Sequence, residues 1–177
     1  MTSEPEAPNP VDAFVRPILG VPAWGVKQGH GSFLTFEFGE PKLELGEPRQ
    51  SQERGLGRSA HVHGEWHLWI YCCQWRALQD GLELARSEIA HEAIERAAAT
   101  FNGQKLIRVA VAPAEGRSTF TFDLGGVLET WPYGDDPTDQ QWLILTGAEA
   151  FAYRADGLYK RDPSDTPPDQ ERWLPLA

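Results

Sequence analysis

The chain has 177 residues, 41% of them apolar, enough to bury a core without help from disulfides or a structural metal. Sixteen Lys and Arg stand against 26 Asp and Glu, and the net charge of −10 repels phosphate backbones and anionic lipid surfaces. Nucleic-acid binding is disfavoured on this ground, and no apolar run approaches the length of a membrane span.

The length and the even spread of apolar residues predict a single domain over 1–177. No basic cluster followed by an apolar run opens the sequence, so a cytoplasmic protein is expected. The two cysteines, Cys72 and Cys73, are neighbours inside an apolar run, where a vicinal disulfide would be strained; two buried free thiols are expected. The acidity is uneven. Met1–Ala112 carries 14 acids and 11 bases, Pro113–Ala177 12 acids and 5 bases, so a basic partner would favour the C-terminal part.

Residues 1–12, rich in Pro and Glu, read as a loose tail. From Ser32 the sequence alternates, with Leu34, Phe36 and Phe38 on one face and Phe33, Thr35 and Glu37 on the other. Gly39-Glu40-Pro41 is expected to turn this strand into a hairpin with Lys42–Leu45, in which Leu43 and Leu45 continue the apolar side. Residues 46–59 hold one large apolar residue, Leu56, and read as a surface loop. Trp66–Trp75 is apolar on both parities from Leu68 to Cys73, the pattern of a central strand covered on both faces. Gln79-Asp80-Gly81 is turn chemistry, with Leu82–Arg86 as the returning strand.

One amphipathic helix is expected at about 87–101, capped by Ser87 and stopped at Asn102-Gly103, with Ile89, Ala93, Ala97 and Phe101 along its apolar stripe. Lys105–Ala112 alternates again. Two hairpins follow, around Phe120–Leu128 and Phe151–Tyr159, which echo each other at an offset of 31 residues and read as a repeated meander. Residues 162–177, with four prolines, read as a tail pinned by Trp173 and Leu174. The fold class is α+β: mainly antiparallel β-sheet built from successive hairpins, with the helix packed on it.

Two groups of residues carry candidate chemistry. His61, His63 and His67 recur at even spacing around Glu65 on one extended segment, a pattern able to hold zinc or iron, with Gly64 as the residue that would break it. Trp131, Tyr133, Asp135 and Asp136 mix aromatic and acidic side chains in the more acidic region and make a candidate contact surface. His30 lies in the turn Gly29-His30-Gly31-Ser32. No nucleophile elbow, phosphate loop or dinucleotide fingerprint is present, so no catalytic set assembles.

The strings 29–39 (GHGSFLTFEFG), 66–75 (WHLWIYCCQW), 122–126 (FDLGG) and 153–157 (YRADG) resemble those of a family of uncharacterised bacterial proteins. The C-terminal hairpin pattern is similar to small acidic immunity proteins of bacterial toxin systems. The resemblance implies a bacterial cytoplasmic protein and brings no activity with it. The expected function is therefore non-catalytic protein binding, immunity-like, through an acidic aromatic β-surface that meets a basic protein, with no cofactor. The alternative is a metal-dependent enzyme centred on His61, His63 and His67 with Zn or Fe.

Overall fold

The computed structural model describes residues 9–176. Its first half runs α1 (Pro10–Val15), β1 (Ala23–Gln28), β2 (Leu34–Phe38), β3 (Lys42–Leu45), β4 (Arg49–Ser51), β5 (Gly55–Gly57), β6 (Ala60–His63), β7 (Trp66–Ile70), β8 (Cys73–Gln79) and β9 (Leu82–Arg86). Then come α2 (His91–Thr100), β10 (Leu106–Ala112), β11 (Arg117–Phe122), β12 (Gly126–Pro132), β13 (Gln140–Leu145), β14 (Glu149–Arg154), β15 (Leu158–Pro163) and β16 (Leu174–Pro175). All strand pairs are antiparallel. No helix among the described residues is long and apolar enough to cross a membrane.

Two sheets share one core. A seven-stranded sheet has the order β1-β2-β7-β13-β14-β15-β16, and a five-stranded sheet the order β10-β11-β12-β8-β9. Aromatic side chains join them: Phe36 stacks on Phe122 at 5.9 Å, and Phe120 meets Trp142 edge-on at 5.5 Å. The Trp142 indole N–H donates across the gap to the Ser118 hydroxyl (2.8 Å), which satisfies a polar atom that would otherwise be costly to bury. Phe101, at the end of α2, touches both Phe36 and Phe122, so helix and sheets meet at one aromatic junction.

The helix is shorter than its sequence pattern. Ser87 does not cap it; the buried Ser87 hydroxyl accepts from Trp75 N–H (3.2 Å) and donates to the Gln74 side chain, and Glu88 takes a positive φ of 66°. The helix therefore starts at His91, with Ile94, Ala97 and Ala98 buried. It packs against β1 and β9, an edge strand of each sheet. Its end also closes the open edge of β1, because Val26 N–H donates to Asn102 Oδ1 and Gln28 N–H to Glu95 Oε1, both at 2.9 Å. An edge capped in this way offers no free ladder for another strand to join.

Four expectations are corrected. Lys42–Leu45 forms no hairpin with Leu34–Phe38, because β1 and β7 already occupy both edges of β2. β3 instead pairs with β6, and β4 with β5, to make a projecting two-stranded arm on which Leu43, Leu45 and Val62 are exposed at 65%, 58% and 58%. The expected surface loop 46–59 is the outer part of that arm. Trp66–Trp75 is not one central strand. The chain turns at Tyr71-Cys72, with Cys73 N–H donating to Tyr71 O, and passes from one sheet to the other. The inward side chains change parity there, from Leu68 and Ile70 to Cys73, Trp75 and Ala77, which is why the run reads as apolar on both sides. Finally, Cys73 is buried but Cys72 is exposed.

The ends are tied down where described. Val11 is fully buried and Phe14 stacks on Phe151 at 4.9 Å, so the expected N-terminal tail is structured from residue 9; its remainder lies outside the described residues. Trp173 lies against the Arg154 guanidinium (4.6 Å) and the Lys160 ammonium (5.3 Å), and Glu171 pairs with Lys160. These contacts and the β15–β16 pairing tie down the C-terminal segment that the sequence presents as a tail. The echoing hairpins are β11–β12 and β14–β15, one in each sheet, with positive φ at Gly125 and Gly157.

Tyr153 offers a test of the core. Its ring is fully buried and stacked on Trp142, and its hydroxyl has no hydrogen-bond partner. Tyr153→Phe should leave stability at neutral pH unchanged or raise it by about 1 kcal/mol. Burial, helped by Asp156, pushes the hydroxyl up from 10.0 to about 12. Because only the unfolded chain ionises this tyrosine easily, the native protein should lose about 2–3 kcal/mol, relative to Tyr153→Phe, as pH rises from about 10 to about 12. Urea denaturation of both proteins at neutral and alkaline pH measures both effects.

Candidate functional site

The outer face of the seven-stranded sheet carries the side chains of opposite parity to the core. Register places Thr35 beside Trp69 and Glu37 directly opposite His67, with Leu143 and Leu145 next in line on β13. The β3–β6 arm stands over this face. In its pairing Leu43, Leu45, Ala60 and Val62 share one side, leaving Lys42, Glu44, His61 and His63 on the other. Together the sheet and the arm enclose a cleft of about 730 Å³, lined by Thr35, Glu37, Glu44, His61, His63, Glu65, His67, Trp69 and Leu145, with Lys27 among its borders.

Glu37 organises this cleft. Its residue is only 6% exposed, and a buried carboxylate is tolerated only when its oxygens are paired. One oxygen accepts from Gly64 N–H at 2.8 Å, and the other is 2.5 Å from His67 Nδ1. The carboxylate accepts, so Nδ1 carries a proton, and in the neutral imidazole Nε2 is left as an acceptor. Gly64 is required at the junction of arm and sheet, since a Cβ there would lie 2.3 Å from the backbone oxygen of Phe38.

The three expected metal ligands reach the same cleft but do not converge. His67 is turned to Glu37, while His63 donates from Nδ1 to Gly64 O (2.8 Å) with Nε2 3.4 Å from Glu44. Glu65 bends back to accept from Glu40 N–H at 3.3 Å. Among the described residues no group of three or more His, Cys, Asp or Glu side chains is placed to hold a metal ion. The break is at Gly64, where β6 ends before β7 begins and the even spacing of 61, 63, 65 and 67 no longer means one shared face.

A row of aromatic rings leaves the cleft along the outer face. His67 meets Trp69 at 5.8 Å, Trp69 meets Tyr71 at 6.1 Å, Tyr71 meets Phe33 at 6.0 Å, and Phe33 meets His30 at 6.1 Å. The row ends at a second cleft of about 390 Å³, bordered by Phe33, Tyr71, Cys72, Glu88, Tyr133 and Asp139. Here Tyr133 donates to Glu88 at 2.8 Å, and that bond raises the pKa of its hydroxyl. Partial desolvation, followed by the charge of Asp139, raises that of the thiol of the exposed residue Cys72.

The candidate contact residues divide. Tyr133, Asp135 and Asp136 are exposed on the β12–β13 turn, where Thr138 N–H and hydroxyl both donate to Asp136 and hold its carboxyl below the usual range. Trp131 is half-buried, with the Arg117 guanidinium over its ring at 5.6 Å. Sequence reasoning missed the Glu37–His67 pair. Its one visible signal is an acid at position 37 within the aromatic strand Phe33–Phe38, where only a paired carboxylate fits. No protein-family model matches the chain, and no curated protein or solved structure matches it either.

The clamp at Glu37 predicts unequal costs. Glu37→Gln, which sets an amide N–H₂ against one of two donors, should lower stability by about 1–3 kcal/mol. Gly64→Ala should cost about 2 kcal/mol or more, because the obstructing atom is backbone. Glu65→Gln should change stability by less than about 0.5 kcal/mol. Chemical denaturation of the three variants compares them directly, and equal costs would remove Glu37 from its organising place.

Proposed function

We propose that the chain is a non-catalytic, cytoplasmic binding protein that engages a basic protein partner across the outer face of the seven-stranded sheet. The observation that carries this reading is the aromatic row His67–Trp69–Tyr71–Phe33, which links two clefts with carboxylates at both ends. Glu37, Glu44 and Glu65 border one cleft; Glu88 and Asp139 border the other, with Asp135 and Asp136 on the turn next to Asp139. Aromatic rings interleaved with acids suit Lys and Arg side chains, whose stems pack on rings while their heads meet carboxylates. The net charge of −10 would speed encounter with such a partner.

The Glu37–His67 pair alone does not argue for catalysis. Among the described residues the one hydrogen-bond partner of the His67 imidazole is Glu37, so no hydroxyl or thiol nucleophile stands bonded to the ring.

The test is titration calorimetry at physiological salt with an extended peptide of alternating Lys and Ser, and with its Glu-Ser counterpart. The basic peptide should bind and the acidic one should not. Trp69→Ala should weaken binding by about tenfold, whereas the exposed pair Glu92→Gln/Glu115→Gln should change it by less than about twofold. If the remote pair weakens binding as much as Trp69→Ala, the attraction is diffuse charge and the outer face is not a site.

A further inference from the structure

We infer that the cleft between the arm and the sheet is a guanidinium pocket, the anchor for an arginine side chain of the partner. This rests on the partner-binding reading of the outer face and adds which side chain is recognised and where.

The inference starts from the balance of donors and acceptors. Glu37 holds His67 by Nδ1, so the neutral imidazole presents Nε2 to the cleft as an acceptor. Glu44, on the arm, has a side chain 69% exposed, and its oxygen near His63 stands at 3.4 Å, so its remaining lone pairs are open. Against these acceptors Lys27 is the only Lys or Arg among the described residues that border the cleft. Such a site repels carboxylates and phosphates and favours a ligand that brings hydrogens.

Two further observations select the kind of cation. Trp69, 41% exposed, stands beside His67 and offers a ring face, the surface on which a planar guanidinium stacks. Thr35 lines the floor, is 6% exposed, and its hydroxyl has no hydrogen-bond partner. Acceptors stand on both the floor and the arm of the cleft, and a guanidinium brings five N–H donors to them against three from an ammonium.

The experiment uses the full chain and two pairs of probes, followed by shifts of the Trp69 indole and the His67 ring in NMR spectra. The first pair is Nα-acetyl-arginine methylamide and its neutral citrulline counterpart. The second is the Lys-Ser peptide and the same peptide with one central Lys replaced by Arg. The arginine derivative should shift both resonances saturably and the citrulline derivative should not. Trp69→Leu and Glu44→Gln, both at exposed positions, should each weaken the arginine derivative by about tenfold. The Arg-containing peptide should bind about tenfold tighter than the all-Lys peptide.

Equal shifts from the citrulline derivative, or no effect of either variant, would overturn the pocket. Binding of the free arginine derivative with no gain for the Arg-containing peptide would also overturn the inference, since it makes the occupant a free small molecule. In either case, Trp69-dependent binding of the all-Lys peptide would leave the partner-binding reading standing by itself.

Discussion

A buried carboxylate on a β-strand imposes conditions on everything near it. Glu37 would cost several kcal/mol in the sheet without partners. It finds one partner in the backbone N–H of Gly64 and the other in the imidazole of His67. The first bond fixes the root of the arm against β2, and the second fixes the ring that faces the cleft. The backbone approach at Gly64 is so close that only glycine serves there. Arm position, cleft shape and imidazole tautomer are thus set by one side chain, whose own place follows from the register of β2 on β7.

The aromatic residues divide between two tasks according to strand parity. Trp75 and Trp142 are fully buried, and Phe36, Phe101 and Phe122 knit the helix end to both sheets. Trp69, Tyr71 and Phe33 have the opposite parity and form the row on the outer face. The sharp turn at Tyr71-Cys72 lets one segment serve both. Before it, β7 belongs to the floor of the larger cleft; after it, β8 enters the other sheet, and Tyr71 and Cys72 border the smaller cleft. The two clefts therefore lie at the ends of one continuous strip, and a partner bound along the strip would meet acids at both ends.

Much of this fold is legible where periodicity alone decides it. Leu34, Phe36 and Phe38 alternate inward, the turns at Gly81, Gly125 and Gly157 fall in the expected hairpins, and Ala97 and Phe101 of the expected helix stripe are buried, whereas Ile89, ahead of the helix start, is exposed. The failures all concern competition for a partner. Lys42–Leu45 has a strand pattern, but β1 and β7 fill both edges of β2, a competition that the local sequence does not show. Ser87 has the chemistry of a cap, yet Trp75 N–H and Gln74 claim its hydroxyl first. For the site, period two brings His61, His63 and His67 to one cleft, but Gly64 breaks the strand between them. The decisive contact, Glu37 with His67, joins strands far apart in sequence, and nothing local announces it.

The most direct test of the account is the imidazole NMR spectrum of His67 in the full chain, recorded free and with the arginine derivative. The account predicts a proton on Nδ1 bonded to Glu37 in the free protein, and a shift of the Nε2 resonance alone when the guanidinium donates to it. A proton on Nε2 in the free protein, or an Nε2 resonance that ignores the ligand, would contradict it.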